Sequence, residues 1–401
     1  MIIETLHTKI EKHCDVLVCG GGFAGISAAL AAVRLGKKVI LLEREYMLGG
    51  LGTAGLVTIY LPLCDGMGHQ VSFGIAEELF RLSVSMGAED LYPDNWLDSD
   101  VSSQRTEHDK RFEVRYNPSL FALLAEQLLV REGVEILYGT QAVSADVCDG
   151  KINAVMLENK SGRSAIAAKS IVDATGDCDI AKFANAPTET FRQGNLLASW
   201  YYFLGERGYH LNTLGYCDIP DEDKQGSARE KSSDVMRFAG LDGDELSGMV
   251  QLSHRSVLGD IMKKRETDPT VIPVTIASIP QIRMTRRIVG EYTLSTDEDH
   301  KRFDDSVGMV SNWKKRGPVY EVPFGTLYSS EVRNLITAGR CTSVSEGMWD
   351  IMRVIPCCAV TGQAAGTAAA LTDDFTSLDV CRLQDVLRAH GAVIHLEEIG
   401  L

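Results

Sequence analysis

Short apolar runs that stop at glycine recur along this chain, separated by stretches in which apolar residues return at helical spacing. Residues 15–19 read Asp-Val-Leu-Val-Cys and halt at Gly20-Gly21-Gly22. A β-branched run without polar alternation predicts a strand buried on both faces, as in a parallel sheet. Residues 26–35 follow as an Ala-rich helical segment, and 37–43 predict a second strand ending in the carboxylate of Glu43. Strand, helix and strand together make a βαβ unit. A glycine-dense stretch at 49–55 comes next, then a less regular region with an acidic loop at 89–100.

Helical spacing returns at 118–131, and 134–137 is a further strand candidate. Residues 143–146 and 152–158 flank Asp149-Gly150, which supplies the positive-φ turn of a hairpin. Residues 171–176, Ile-Val-Asp-Ala-Thr-Gly, again run from apolar strand into glycine. Between 187 and 325 the character changes, with Trp200, Tyr201, Tyr202 and Phe203, a polar linker at 221–234 and an acidic stretch at 296–305. No glycine-rich nucleotide turn falls in that span, so it reads as an inserted α+β substrate domain. Residues 334–340 repeat the strand-to-glycine pattern, and 362–371 form an Ala/Gly-rich helix. The expected organisation is a first nucleotide-binding segment at 1–186, with a small cap-like excursion at about 60–115, the substrate domain at 187–325 and a return segment at 326–401. The fold class is α/β, a doubly wound Rossmann-like sheet carrying an insertion.

Composition excludes several function classes. With 401 residues, 45% of them hydrophobic and 37 glycines against 11 prolines, the chain fills a core, and disorder or collagen-like repetition is ruled out. Forty Lys and Arg stand against 55 Asp and Glu, a formal charge of −15, which disfavours nucleic acid and anionic lipid as partners. The apolar stretch at 24–33 is far short of a membrane span, and charges among residues 1–15 argue against a secretory signal, so a cytoplasmic address is expected. The ten cysteines show no C-x-x-C and no zinc spacing.

Gly20-x-Gly22-x-x-Gly25 lies between the first predicted strand and helix. There Gly20 permits a tight turn, Gly22 a close backbone approach to a pyrophosphate and Gly25 close helix packing, while the helix N-terminus attracts negative charge. Glu43 stands 18 residues after Gly25, at a strand end where a carboxylate accepts from ribose hydroxyls. A glycine-rich turn in an ordinary α/β fold would leave Glu43 unexplained; a dinucleotide site accounts for it. A nicotinamide enzyme needs only one such unit, whereas Ala174-Thr175-Gly176-Asp177 and Ala338-Gly339-Arg340 return to the same sheet late in the chain.

Four blocks, residues 15–43 with Gly49-Gly50, 171–181, 282–294 and 334–371, resemble the FAD-dependent oxidoreductases of glutathione-reductase-like type, in particular the bacterial group related to fumarate reductase and succinate dehydrogenase flavoprotein subunits. The resemblance implies FAD on Gly20, Gly22, Phe23, Ala24, Gly25, Glu43, Arg44, Gly49 and Gly50. It implies further that the backbone near Val143 meets the adenine and that Ala174, Thr175, Gly176 and Asp177 pass the pyrophosphate. Gly339 and Arg340, with Asp177, would hold the ribityl chain; Arg353, Val354, Cys357 and Cys358 would lie at the isoalloxazine. A helix N-terminus there would stabilise negative charge on the reduced ring. The sequence departs from the pattern at Cys178, where glycine is commoner, and at 345–350, which lacks a histidine before the arginine. No histidine falls in the glycine stretch after Gly50, so noncovalent FAD is expected.

With no second G-x-G-x-x-G and no short-spaced cysteine pair beside the flavin, disulfide reductase chemistry is disfavoured. The expected activity is hydride transfer between FAD and a small polar organic substrate; the alternatives are a flavin electron-transfer subunit of a larger complex and an NAD-dependent dehydrogenase. Arg283 and Arg287, with Arg286 between, would share a helix face and orient an anionic group, or equally form surface ion pairs. Arg353, flanked by Met352, Val354 and Ile355, is the stronger candidate. His69 and His254 are candidate acid/base groups, with Tyr292 as another, against the commoner structural or solvated role. No metal is expected. The partners expected are a small-molecule substrate and an electron acceptor the sequence does not name, with a homo-oligomer left open.

Overall fold

In the computed structural model the chain is described at residue 2 and at residues 5–87, 113–215 and 236–401. The expected acidic loop at 89–100 and linker at 221–234 lie outside the described residues. Strand β1 (Ile10–Cys19), helix α1 (Phe23–Arg34) and strand β2 (Val39–Leu42) form the expected βαβ unit, with β1 and β2 parallel. Strand β3 (Ile59–Tyr60) precedes helix α2 (Ile75–Val84) and pairs with β4 (Val114–Arg115). Helix α3 (Pro118–Glu132) leads to β5 (Glu135–Leu137), which adds parallel to β2. Asn117 caps α3 through the Leu120 amide, and Pro118 sits in its first turn, where a missing N–H costs nothing.

The predicted hairpin is β6 (Gln141–Cys148) and β7 (Lys151–Asn159), turned by Asp149 and Gly150 at φ 51° and 70°. Strand β8 (Gly162–Asp173) starts well before the expected 171. Its first half pairs antiparallel with β7, and from Ala165 to Asp173 it runs parallel to β1. The mixed polarity of residues 163–170 hides that half from an apolar-run reading. Helix α4 (Asp179–Phe183) follows the glycine end of β8.

Strands β9 (Thr188–Thr190), β10 (Ser199–Gly205) and β11 (Gly208–Leu214) come next, then helix α5 (Gly243–Arg265), β12 (Ile272–Ile276) and β13 (Arg286–Ile288). A three-stranded sheet in the order β11-β10-β12 encloses its own small core of Tyr201, Val257, Ile261 and Val271 with α5. Strand β13 pairs with β9. The hairpin of β14 (Ser306–Ser311) and β15 (Val319–Pro323) packs Val307, Val310, Tyr320 and Val322 into the same core as α1. Strand β16 (Leu335–Thr337) then joins the carboxyl half of β8 in parallel, completing a seven-stranded sheet. Helices α6 (Glu346–Met352), α7 (Ile355–Leu371) and α8 (Val380–Ala389) close the chain.

Each central strand feeds two cores. Val16, Val18, Val39 and Leu41 face the core shared with α1 and α7, while Leu17, Cys19, Ile40 and Leu42 face the one shared with Ile180 and Ala181 of α4. That is the doubly wound arrangement expected of unbroken apolar strands. Among the described residues no single helix is long and apolar enough to cross a membrane.

Candidate functional site

An open cleft of about 410 Å³ lies beyond the carboxyl ends of β1, β2 and β8, where doubly wound sheets take their ligands. Gly20, Gly21, Gly22, Phe23 and Ala24 line it at the start of α1, and Glu43 and Arg44 do so at the end of β2. Gly25 lies beneath: a Cβ there would fall 1.8 Å from the Gly20 carbonyl oxygen, so only glycine lets the helix start this close to the turn. Gly22 is different. Among the described residues a Cβ on it would meet no atom within 4 Å beyond its chain neighbours, and its backbone caps α1 while facing the cleft.

Glu43 is buried, and burial raises its carboxyl above the usual range. Its Oε2 accepts the Gly21 amide at 2.8 Å and its Oε1 accepts the Glu45 amide at 2.8 Å. It therefore shapes the glycine turn, and each oxygen keeps a second lone pair for a hydroxyl at the cleft. Gly49 and Gly50 also line the cleft, Gly49 through a bridge to Gly22.

Ala174, Thr175, Gly176 and Asp177 line the cleft together with Gly339 and Arg340, so the two late glycine-terminated strands do return to one site. Arg340 donates to the Arg283 carbonyl at 2.9 Å and lies 3.6 Å from Asp177. Asp177 in turn accepts from Thr285 at 2.8 Å. Thr140, Gln141 and Ala142 form the wall where Val143 was expected; Val143 is not among the lining residues. Asp179, which sequence reasoning missed, lines the cleft 2.7 Å from Arg286. Burial, with Asp177 and Asp173 adding to it, pushes its carboxyl up to about 6.

At the far end stand Arg353, Ile355 and Cys358. Val354 caps α7, and Cys357 turns into the core, so neither lines the cleft. Burial pushes the Cys358 thiol up to about 12, which keeps it protonated and a poor nucleophile. Arg353 donates through Nε and Nη2 to one oxygen of Asp350, at 2.8 and 2.6 Å.

A cover from the inserted segment was expected, but which of its residues meet the cleft was not legible in sequence: Gly240, Leu246, Ser278, Ile279, Pro280 and Ile282 face the nucleotide strands across it. Gln281 ties it down, accepting from the Trp200 amide at 2.7 Å and donating to the Gly55 carbonyl at 2.7 Å. Tyr202 and Thr58 add a hydroxyl pair at 2.5 Å.

The expected helix carrying Arg283 and Arg287 is not formed. Residues 277–285 are irregular and β13 begins at Arg286, because pairing with β9 and the ties of Gln281 and Asn195 draw the chain out. Arg283 is buried 5.1 Å over the Trp200 ring, and Arg287 pairs with Glu189 at 2.5 Å; neither lines the cleft. His69 is held by Asp65 at 2.8 Å, and His254 is exposed on α5; both stand apart from the lining residues. Tyr292 is bonded to Glu298 and Lys301, again off the cleft.

A cleft at the switch of a doubly wound sheet, walled by a glycine turn, a strand-end carboxylate and two returning strands, defines a dinucleotide-binding flavoprotein of the oxidoreductase class. The sequence pattern of the FAD dependent oxidoreductase family matches residues 15–199 and 205–387, and the chain belongs to that family. It is thus an enzyme whose cofactor is FAD. Local similarity is found to an inactive all-trans-retinol 13,14-reductase of Danio rerio, 42% identical over 48 residues or 12% of this chain, and to an NADH:acrylate oxidoreductase of Vibrio harveyi, 44% identical over 59 residues or 14% of it. The matched stretches span only 8% and 6% of those proteins. The solved structure of p-nitrophenol 4-monooxygenase PnpA from Pseudomonas putida DLL-E4 superposes with a TM-score of 0.46 at 12% identity, covering 94% of this chain and 81% of that one.

The cleft fits the cofactor. Gly22 leaves open the volume a Cβ would take, and the lining runs from Glu43 through Gly176 and Arg340 to Arg353, an extended track of the kind a dinucleotide needs.

Proposed function

We propose that the chain transfers a hydride between noncovalently held FAD and a small organic substrate bearing an anionic or strongly polar group. FAD, when bound, supplies the two-electron acceptor and donor. The glycine turn and Glu43 hold the adenosine end, Ala174 to Asp177 with Arg340 hold the middle, and the Arg353 end faces the reaction. Leu246, Ile279, Pro280 and Ile282 form an apolar cover that excludes water from this volume, strengthening each charge interaction inside it. Within the expected 187–325 segment, residues 240–246 and 278–282 are the part we assign to substrate covering.

The observation that carries the reading is Arg353. Of the three arginines singled out as catalytic candidates, it alone lines the cleft, and its orientation is fixed by a buried carboxylate. Arg353 would hold the substrate anion or the negative charge of the reduced ring system.

The test is to reduce the bound flavin anaerobically and follow its reoxidation by absorbance against a panel of unsaturated and keto acids, with Arg353→Met in parallel. Reoxidation by members of the panel, slowed in Arg353→Met with FAD still bound, is expected. Electron exchange with protein carriers alone would instead make the chain an electron-transfer subunit.

A further inference from the structure

Behind Arg353 lies a set of contacts that the hydride-transfer reading does not use. Asp350 is the only carboxylate in helix α6 besides Glu346, and its side chain is fully buried, with 0% of its surface exposed. One oxygen takes both Nε and Nη2 of Arg353, at 2.8 and 2.6 Å; the other lies 3.0 Å from Lys314 Nζ. The main-chain oxygen of Asp350 accepts the Trp313 indole N–H at 2.9 Å, and the Arg353 guanidinium lies 5.7 Å over the Trp313 ring. Asp350 does not line the cleft, whereas Arg353 does.

A guanidinium on a flexible stem loses much rotamer freedom when it is held in one place, and side-on contact with a carboxylate fixes both its position and its plane. The bend of 90° between α6 and α7 sets Arg353 at the corner, and Asp350 one turn earlier reaches it at i+3. Burial would raise the Asp350 carboxyl, but Arg353 and Lys314 outweigh that and hold it below the usual carboxylate range. It therefore stays an anion at neutral pH and a constant anchor.

We infer that Asp350, itself braced by Lys314, is a positioning residue that aims the Arg353 guanidinium into the cleft. The inference rests on the reading of Arg353 as the residue at the reacting end. It carries a sign that separates positioning from plain electrostatics. Neutralising a carboxylate near a flavin makes its surroundings more positive and stabilises negative charge on the ring. Losing the aim of Arg353 does the opposite.

Inorganic sulfite is the probe, because its addition to the oxidised flavin leaves negative charge on the ring and is read by bleaching of the flavin absorbance. It would be titrated into holoenzyme with wild-type sequence, Asp350→Asn, Lys314→Met, Arg353→Met and the Asp350→Asn/Arg353→Met and Lys314→Met/Arg353→Met pairs, alongside dye-coupled reduction potentials. Asp350→Asn is expected to raise the sulfite dissociation constant roughly tenfold, a change of about 1.4 kcal/mol, and to lower the potential. In its double variant it should add nothing beyond Arg353→Met, as for two residues acting in series. Lys314→Met should shift both readouts the same way by less and add nothing in the Arg353→Met background, where a plain charge effect would persist, and that pair keeps the proposal testable if Asp350→Asn does not fold. Tighter sulfite binding in Asp350→Asn, or wild-type binding in both Asp350→Asn and Lys314→Met while Arg353→Met is weakened, overturns the positioning role and leaves Arg353 standing. Wild-type behaviour in Arg353→Met removes Arg353 from the charge on the ring, and this inference with it, while the substrate-anion role stays with the reoxidation assay of the proposed function.

Discussion

At the scale of single residues, Glu43 shows how a cofactor ligand and a structural carboxylate are the same group. Both its oxygens already accept main-chain amides, the buried one of Gly21 and the half-buried one of Glu45. Glu43→Ala therefore strands two N–H donors as well as removing an acceptor for ribose. We expect a stability loss of about 1–3 kcal/mol for the stranded Gly21 donor and less for that of Glu45, which water can reach. FAD affinity should fall by roughly one to two powers of ten. Chemical denaturation and flavin fluorescence check the two separately; a variant with wild-type flavin retention would remove Glu43 from the cofactor site. Asp179 gives a pH signature. Because its folded-state carboxyl is raised from 3.8 to about 6, it contributes stability below its ordinary value, and this is lost as pH rises through about 6. Asp179→Asn should raise the melting temperature at neutral pH and not below about pH 4. With 35% of the side chain open to water, the gain should stay under about 1 kcal/mol. A loss at neutral pH would mean that the pair with Arg286 dominates instead. Residues such as Glu43 were legible because strand and glycine turn fix their place along the chain. Gln281 was not, since a polar side chain gives no sign of partners far away in sequence; Asp350 stands only three residues before Arg353, yet spacing alone does not tell a buried pair from a solvated one.

At the scale of elements, the contact of α1 with α7 holds the cofactor turn against the return segment. A Cβ at Gly362 would lie 2.3 Å from the Ala24 carbonyl oxygen, and one at Gly366 would lie 2.1 Å from that of Ala28. The two glycines let the helix backbones meet directly, and both neighbours are main chain that cannot turn aside. Gly366→Ala should cost about 1–3 kcal/mol, read by urea unfolding; a neutral result would mean that the helices can separate freely. Strands β1 and β2, helix α3 and the β6–β7 hairpin were legible because each carries its own period or turn signal. Helix α5 was not, because only Met249, Val257 and Ile261 of its 23 residues are buried, too few for an apolar stripe. The arginine segment misled for the reverse reason: i, i+4 spacing says nothing of helix where strand pairing and side-chain ties hold the chain extended.

At the scale of the whole molecule, two cores grip one sheet, and the cleft opens at its carboxyl edge, roofed by Gly240 and Leu246 of the α5 region and by residues 278–282 after β12. The presence of a dinucleotide site was legible in the glycine turn and in the returns at 174–177 and 339–340; the individual roof residues were not, because they carry no motif. The central claim is that FAD occupies the space in front of Gly22. Gly22→Phe tests it most directly. With φ at −71° and, among the described residues, no atom beyond its chain neighbours within 4 Å of a Cβ, the backbone tolerates a side chain, and the ring would enter the cleft. Flavin content per folded chain, measured after acid release together with the circular dichroism of the protein, is the deciding measurement. We predict one FAD released from the wild-type chain, and a folded Gly22→Phe variant with none; a folded variant that retains its full complement of FAD would contradict the account.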